Sequence, residues 1–308
     1  MRRSIGRLAL PILALAAFAG GPSFASPFSH VFGKPHPVSA ASADSAVLLA
    51  EQVRQALDER RLVDATDLLE KAKAENIQSP RLTALTGELF IARGDYAAAV
   101  TQFHMVDTNP GERPQALQGE GVALSMMGKS DEALATLKQA TAADKSLWRA
   151  WNALGREYDM RRDWKKSQAA YAEALATPGA NTAIVLNNRG YSHLLQRQND
   201  LAAADFVAAL DKDPGLTAAR TNLRITMAME GHYDRAAVTG AGDDRAAVLN
   251  NVGLAAAIRG DYVEAGKLLN QAIEAKGKYY ERAADNLQLT KELQQKAQEP
   301  AIVSDATP

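Results

Sequence analysis

The sequence predicts an all-α fold, a solenoid in which helix pairs stack one on the next. Three observations predict it. Gly87, Gly121, Gly155 and Gly190 recur at intervals of 34, 34 and 35 residues. A small residue stands 12 positions after each glycine: Ala99, Ala133, Ser167 and Ala202. A bulky one stands 16 positions after it: Phe103, Leu137, Tyr171 and Phe206. A fixed period of this length marks an array whose units bury their apolar faces on their neighbours. Each glycine lets a second helix lie close on a first, and the small residue does the same from the other side.

Taken in order, residues 1–25 read as a secretory signal peptide. Arg2, Arg3 and Arg7 form a basic start, residues 8–18 a short apolar core, and Ser23-Phe24-Ala25 a small-x-small cleavage site. A bilayer crossing takes about 20 apolar residues, more than this core supplies. Arg2-Arg3 also admits twin-arginine export, although paired arginines are ordinary in a basic n-region. Residues 26–44, rich in Ser, Pro, Ala and Gly, read as a flexible linker. His30 and His36 lie there without thiol or carboxylate neighbours and read as solvated.

Residues 45–298 read as a solenoid of about seven repeats with a capping helix. Val47, Leu48, Val53 and Leu57 form one helical stripe and Leu62, Ala65, Leu68, Leu69 and Ala72 another, a degenerate first repeat. Well-phased units follow at about 80–113, 114–147, 148–181 and 183–216, the last closed by Pro214, which cannot continue a helix. The sixth unit is short. Its turn Gly231-His232-Tyr233 precedes the next, Gly260-Asp261-Tyr262, by 29 residues, so its second helix must lack about a turn and a half. The seventh, 246–279, is regular. Residues 280–296 read as a solvating cap and 299–308 as a disordered tail.

Composition narrows the function. The 308 residues carry 35 Lys and Arg against 36 Asp and Glu, a net charge of −1, which gives no electrostatic case for nucleic acid. There is no cysteine, so disulfides, thiolate zinc sites and thiol catalysis are excluded, and no lipid anchor is expected. No zinc-protease, phosphate-loop, nucleophile-elbow or calcium-loop pattern occurs. Gly119-x-Gly121 lies inside a helix on the phase of the repeat. The chain therefore reads as a non-enzyme with no cofactor and no metal site, His104, His193 and His232 being scattered over separate repeats. Convergence of distant residues on a catalytic site keeps an enzyme on a solenoid scaffold as one alternative.

The unit at 148–181 carries Trp151-x2-Leu154-Gly155-x2-Tyr158, then Ser167-x3-Tyr171-x2-Ala174 and a turn at Thr177-Pro178-Gly179. It resembles the tetratricopeptide repeat, with Ser167 where alanine is usual and an early proline. That resemblance implies a right-handed superhelix whose first helices line a concave, partner-binding face. By register the face receives Arg149, Asn152, Arg156 and Asp159; Ile184, Asn187, Tyr191 and Leu194; Thr221 and Ile225; Asn250 and Leu254. Asn188, Asn222 and Asn251 follow at the sixth position. From these, Arg149, Asn152, Arg156, Asn187, Tyr191, Asn222 and Asn250 are the candidate partner-binding groove. Asparagine is a poor helix-interior residue because its amide competes for backbone bonds. Its recurrence reads either as an amide ladder gripping an extended peptide or as packing between helices.

A narrower resemblance spans 185–237, carried by Leu186-Asn187-Asn188-Arg189-Gly190-Tyr191, Ala208-Ala209-Leu210-x2-Asp213-Pro214, Ala219-Arg220-x-Asn222-Leu223 and Gly231-x-Tyr233-Asp234-x-Ala236. It is similar to the tetratricopeptide protein of tight-adherence (Flp-type) pilus assembly systems. The resemblance implies a periplasmic, exported assembly factor for a pilus secretion complex, with protein or peptide partners in the cell envelope. The alternative is a periplasmic chaperone or regulatory adaptor of another envelope pathway. The export reading predicts a mature chain that begins at Ser26. N-terminal sequencing of the periplasmic protein checks this, and recovery of the intact 1–25 segment from membranes would contradict it.

Overall fold

The computed structural model describes residues 40–106, 111–240, 242–276 and 280–298. Residues 1–25, read as a signal peptide, most of those read as a linker and those read as the tail lie outside the described residues. Within them the chain is helical throughout, with fifteen helices and no strand. The first helices of successive pairs are α1 (Ala40–Asp58), α3 (Pro80–Arg93), α5 (Arg113–Met126), α7 (Trp148–Met160), α9 (Thr182–Leu195), α11 (Thr217–Met229) and α13 (Arg245–Arg259). Their partners are α2 (Leu62–Ala74), α4 (Tyr96–His104), α6 (Ser130–Ala143), α8 (Trp164–Ala176), α10 (Asn199–Lys212), α12 (Tyr233–Ala236) and α14 (Tyr262–Lys276). A last helix, α15 (Glu281–Gln298), packs on α13 and α14. α1 starts inside the segment read as a linker: the run Ala40-Ala41-Ser42-Ala43 has strong helix formers and no glycine or proline.

Local chemistry sets the ends. The side chains of Ser79, Asp95, Asp163, Asn181 and Asp244 each accept a bond from a backbone N–H of the helix they open. The turn inside each pair needs one left-handed residue. Gly94, Gly128, Gly231 and Gly260 supply it at φ between +75° and +97°, and Arg162 and Arg197 take the same conformation at φ 57° and 61°.

The glycine period is a packing device. A Cβ on Gly87 would lie 2.7 Å from the Phe103 ring, on Gly121 2.6 Å from Leu137, on Gly155 2.6 Å from Tyr171, and on Gly190 2.8 Å from Phe206. Each clash is with the bulky residue of the same pair. These four side chains are at most 1% exposed, so each pair is stitched by one large side chain seated on bare backbone. Ala99, Ala133, Ser167 and Ala202, at 0% exposure, let the second helix approach.

The sixth pair departs from this rule in the direction its spacing predicts but further, since its second helix lacks nearly three turns where the spacing implies about one and a half. α12 has 4 residues, where α6, α8, α10 and α14 have 13 to 15. At the register of the glycine stands Arg224. With the second helix cut short, nothing presses on that position, and the guanidinium crosses to the loop that replaces it. Its Nη2 donates to the Val238 carbonyl at 2.9 Å and to Asp243 at 2.7 Å. Asp243 also takes the Gly240 N–H at 2.7 Å and lies 3.5 Å from Arg220. The bond from Arg224, then that from Gly240, pull its carboxyl down to about 2. α11 in turn packs directly on α13 through Ala228, Val248, Leu249 and Val252.

Candidate functional site on the helix-A face

α7, α9 and α11 place the central candidate residues on one face of the stack. Asparagines there bond mainly to one another. Asn222 Nδ2 donates to Asn187 Oδ1 at 3.0 Å, Asn187 Nδ2 to Asn188 Oδ1 at 3.3 Å, and Asn188 Nδ2 to Asn152 Oδ1 at 3.0 Å. A second relay runs Asn286 to Asn250 at 2.8 Å and Asn250 to Asn251 at 3.2 Å. Thr221 replaces an amide in α11, so the two relays are separate. The fifth-position amide of one repeat thus receives the sixth-position amide of the next first helix that carries one.

These bonds support the packing reading of the asparagines. Asn187, Asn222 and Asn250 each bond within the stack, and Asn250 is 1% exposed, so it cannot line an open groove. We expect Asn187→Ala to lower unfolding free energy by about 1–3 kcal/mol, because it removes two bonds and leaves two half-buried amides short of a partner. Chemical denaturation checks this. An unchanged midpoint would mean that the relay contributes nothing.

Arg149 is also engaged. Its guanidinium stacks 5.5 Å from the Trp148 ring and reaches Glu88 at 3.8 Å. Glu88 itself holds Arg54 through bonds of 2.5 and 2.9 Å. α1, α3 and α7 are thus tied across the face past α5. On α5, Gly119 packs close on α4: a Cβ there would lie 2.3 Å from the Phe103 ring. Gln118 on α5 accepts the Ala150 N–H at 3.1 Å and so caps α7, whose own cap residue Leu147 cannot.

Asp159, placed on the face by register, is instead buried at 7% exposure. It accepts bonds from Ser167 Oγ at 2.5 Å, Ser192 Oγ at 2.6 Å and the Tyr171 hydroxyl at 2.8 Å. Burial pushes its carboxyl above the ordinary range, and the three hydroxyls pull the other way. Burial, then the charge of Asp159, raises the Tyr171 hydroxyl well above its usual value. Ser167, the departure from alanine, has its reason here: its hydroxyl is a donor to Asp159. Glu157, on α7, is a second buried carboxylate, 0% exposed and held by the Ser125 and Ser130 hydroxyls. Register alone did not reveal either cluster; Ser167, at the position that usually holds alanine, was the available signal for the first.

Two candidates remain oriented for a ligand. Arg156 is exposed and has no hydrogen bond or ion pair among the described residues. One turn before it, Asn152 accepts from Asn188 but its own Nδ2 is unspent. Tyr191 is half-buried on the adjacent α9, and burial raises its hydroxyl. Met160, 61% exposed, and Ile184, 38% exposed, add apolar surface. A cation, a free amide donor, an aromatic ring and apolar side chains are a set that can hold a peptide backbone and one acidic group. Among the described residues there is no cluster of potential metal ligands, and no helix is long and apolar enough to cross a membrane.

No family profile and no curated relative matches the sequence. Solved structures do match the fold. A tetratricopeptide repeat protein from Parabacteroides merdae ATCC 43184 superposes with a TM-score of 0.53 at 16% identity, over 80% of this chain and 99% of the other. PilW, a widely conserved type IV pilus biogenesis factor, superposes at 0.56 with 20% identity, over 68% of this chain and 99% of its own. PilF of Pseudomonas aeruginosa superposes at 0.53 with 16% identity, over 69% and 96%. The fold of this chain is that of a tetratricopeptide-repeat solenoid.

Proposed function

We propose that the chain is a non-catalytic protein-interaction scaffold whose helix-A face receives an extended segment of a partner protein around Arg156. The observation that carries this reading is the exposed, unpaired Arg156 beside the unspent amide of Asn152, on a face where the other candidate polar groups are engaged within the chain. The finer reading is an exported, periplasmic assembly factor for a pilus system of the tight-adherence type. Its supports are the N-terminal export pattern, the motifs over 185–237, and fold neighbours that include a type IV pilus biogenesis factor.

The test is a photo-crosslinking residue placed at Met160 in the native host. The expected adducts are with envelope proteins of pilus assembly, and Arg156→Glu should reduce them at least tenfold without lowering the melting temperature. Adducts unchanged by Arg156→Glu would move the partner site elsewhere. Unaltered piliation in a strain lacking the protein would end the pilus reading while leaving the scaffold reading to the crosslinks.

A further inference from the structure

The helix-B side of the stack shows a cation without its acid. Three adjacent seams can be compared at the same register. Between the second and third pairs, His104 on α4 meets Glu120 on α5 at 2.7 Å. At an interval of 34 residues the same positions are Lys138 on α6 and Leu154 on α7. The basic side chain is kept, and its acid has become a leucine that is 2% exposed. At the following seam the same positions are Ala172 on α8 and Arg189 on α9, and Arg189 is held within its own pair by Asp205 on α10 through bonds of 2.8 and 2.6 Å. Of these three seams, the middle one alone keeps a second-helix cation with no acid opposite it.

Lys138 is exposed and has no ion pair among the described residues. Its ammonium lies 6.0 Å from the centroid of the Tyr158 ring, and the ammonium of Lys166 on α8 lies 5.6 Å from the same centroid. Lys166 pairs with Asp163 in the preceding turn at 2.5 Å, an exposed contact within α8's own first turn. Two cations thus share one ring, an arrangement that a single anion between them would relieve. Beneath them runs an open groove of about 360 Å³, floored by Trp151, Leu154, Tyr158 and Ala170. Glu173 stands at its far edge, about 10 Å along α8 from Lys166 at 1.5 Å per residue.

We propose that this groove is a second binding site, on the face opposite the first, for a partner protein segment that carries a carboxylate beside a bulky apolar side chain. The carboxylate sits between Lys138 and Lys166, where it supplies the charge that Glu120 supplies one repeat earlier. The apolar side chain covers the Trp151–Leu154 floor. Glu173 repels the acid from its own end, so the segment runs with its carboxylate toward the start of α8. The site stands apart from Arg156, so the two faces can hold two partners at once.

The probe is a displayed library of random linear peptides, selected on the full chain. Enriched peptides should pair Asp or Glu with Leu, Ile, Phe or Trp within two residues. In titration, the best of them should lose at least tenfold in affinity on Lys138→Glu with Lys166→Glu, and also on the milder Lys138→Gln with Lys166→Gln. Both pairs are exposed and should melt with the wild type. Arg156→Glu should leave this affinity unchanged. The proposal is overturned if no peptide is enriched, if the enriched peptides lack an acid, or if the lysine variants bind as tightly as the wild type. Loss on Arg156→Glu alone would also overturn it, and would assign the peptides to the helix-A face.

Discussion

Asp159→Ala should lower the unfolding free energy by about 3–5 kcal/mol. The carboxylate is the shared acceptor for Ser167, Ser192 and Tyr171, all three 0% exposed. Alanine orphans three buried donors, each worth about 1–3 kcal/mol, with partial relief because hydroxyls rotate. The loss couples two repeats, since Ser192 comes from α9 and the other members from α7 and α8. Asp159→Asn keeps one acceptor oxygen and should cost less. It also tests the electrostatics. Burial raises the folded carboxyl above its unfolded value of about 4, so the folded state holds the proton more tightly. That contribution is fully present below the unfolded value and is lost as pH rises through the folded one. The stability of the wild type relative to Asp159→Asn should therefore decline as pH rises above about 4. A difference that stays flat, or grows with pH, would show that the hydroxyl bonds outweigh burial.

Gly155→Ala should cost about 2–3 kcal/mol, although alanine is the better helix former by about 1 kcal/mol. The added methyl would lie 2.6 Å from Cε1 of Tyr171. That ring is 0% exposed, and its hydroxyl is tied to Asp159 at 2.8 Å, so it has nowhere to turn without breaking the buried cluster. The side chain must move as a unit or α8 must lift from α7. A urea midpoint within error of the wild type would mean that the seam has slack. An arginine already occupies the corresponding position in the sixth pair, and its tolerance there is consistent: α12 is too short to bring a bulky residue against it.

The sequence by itself determined the helices, their pairing, and the residues that make each pair close. Those are local or single-repeat properties. Capping residues, helical periods, and a glycine facing a bulky residue 16 positions on are repeated, so several copies agree on one register. That α12 is short was legible, because a spacing of 29 residues leaves no room for a full second helix, but the loop that takes the rest of its place was not.

Tertiary structure alone decided what each helix-A side chain does on its face. Whether an asparagine reaches solvent or the next repeat depends on the rise and turn from one pair to the next, which no single repeat encodes. The stack brings Asn188 within 3.0 Å of Asn152 and Asn222 within 3.0 Å of Asn187, so amides that could have gripped a peptide join helices instead. The same stacking buries Asp159, draws Glu88 to both Arg54 and Arg149, and leaves Lys138 opposite Leu154 with no acid. Groups more than thirty residues apart in sequence meet there, and their contacts depend on ångström-scale distances that a periodic pattern does not specify.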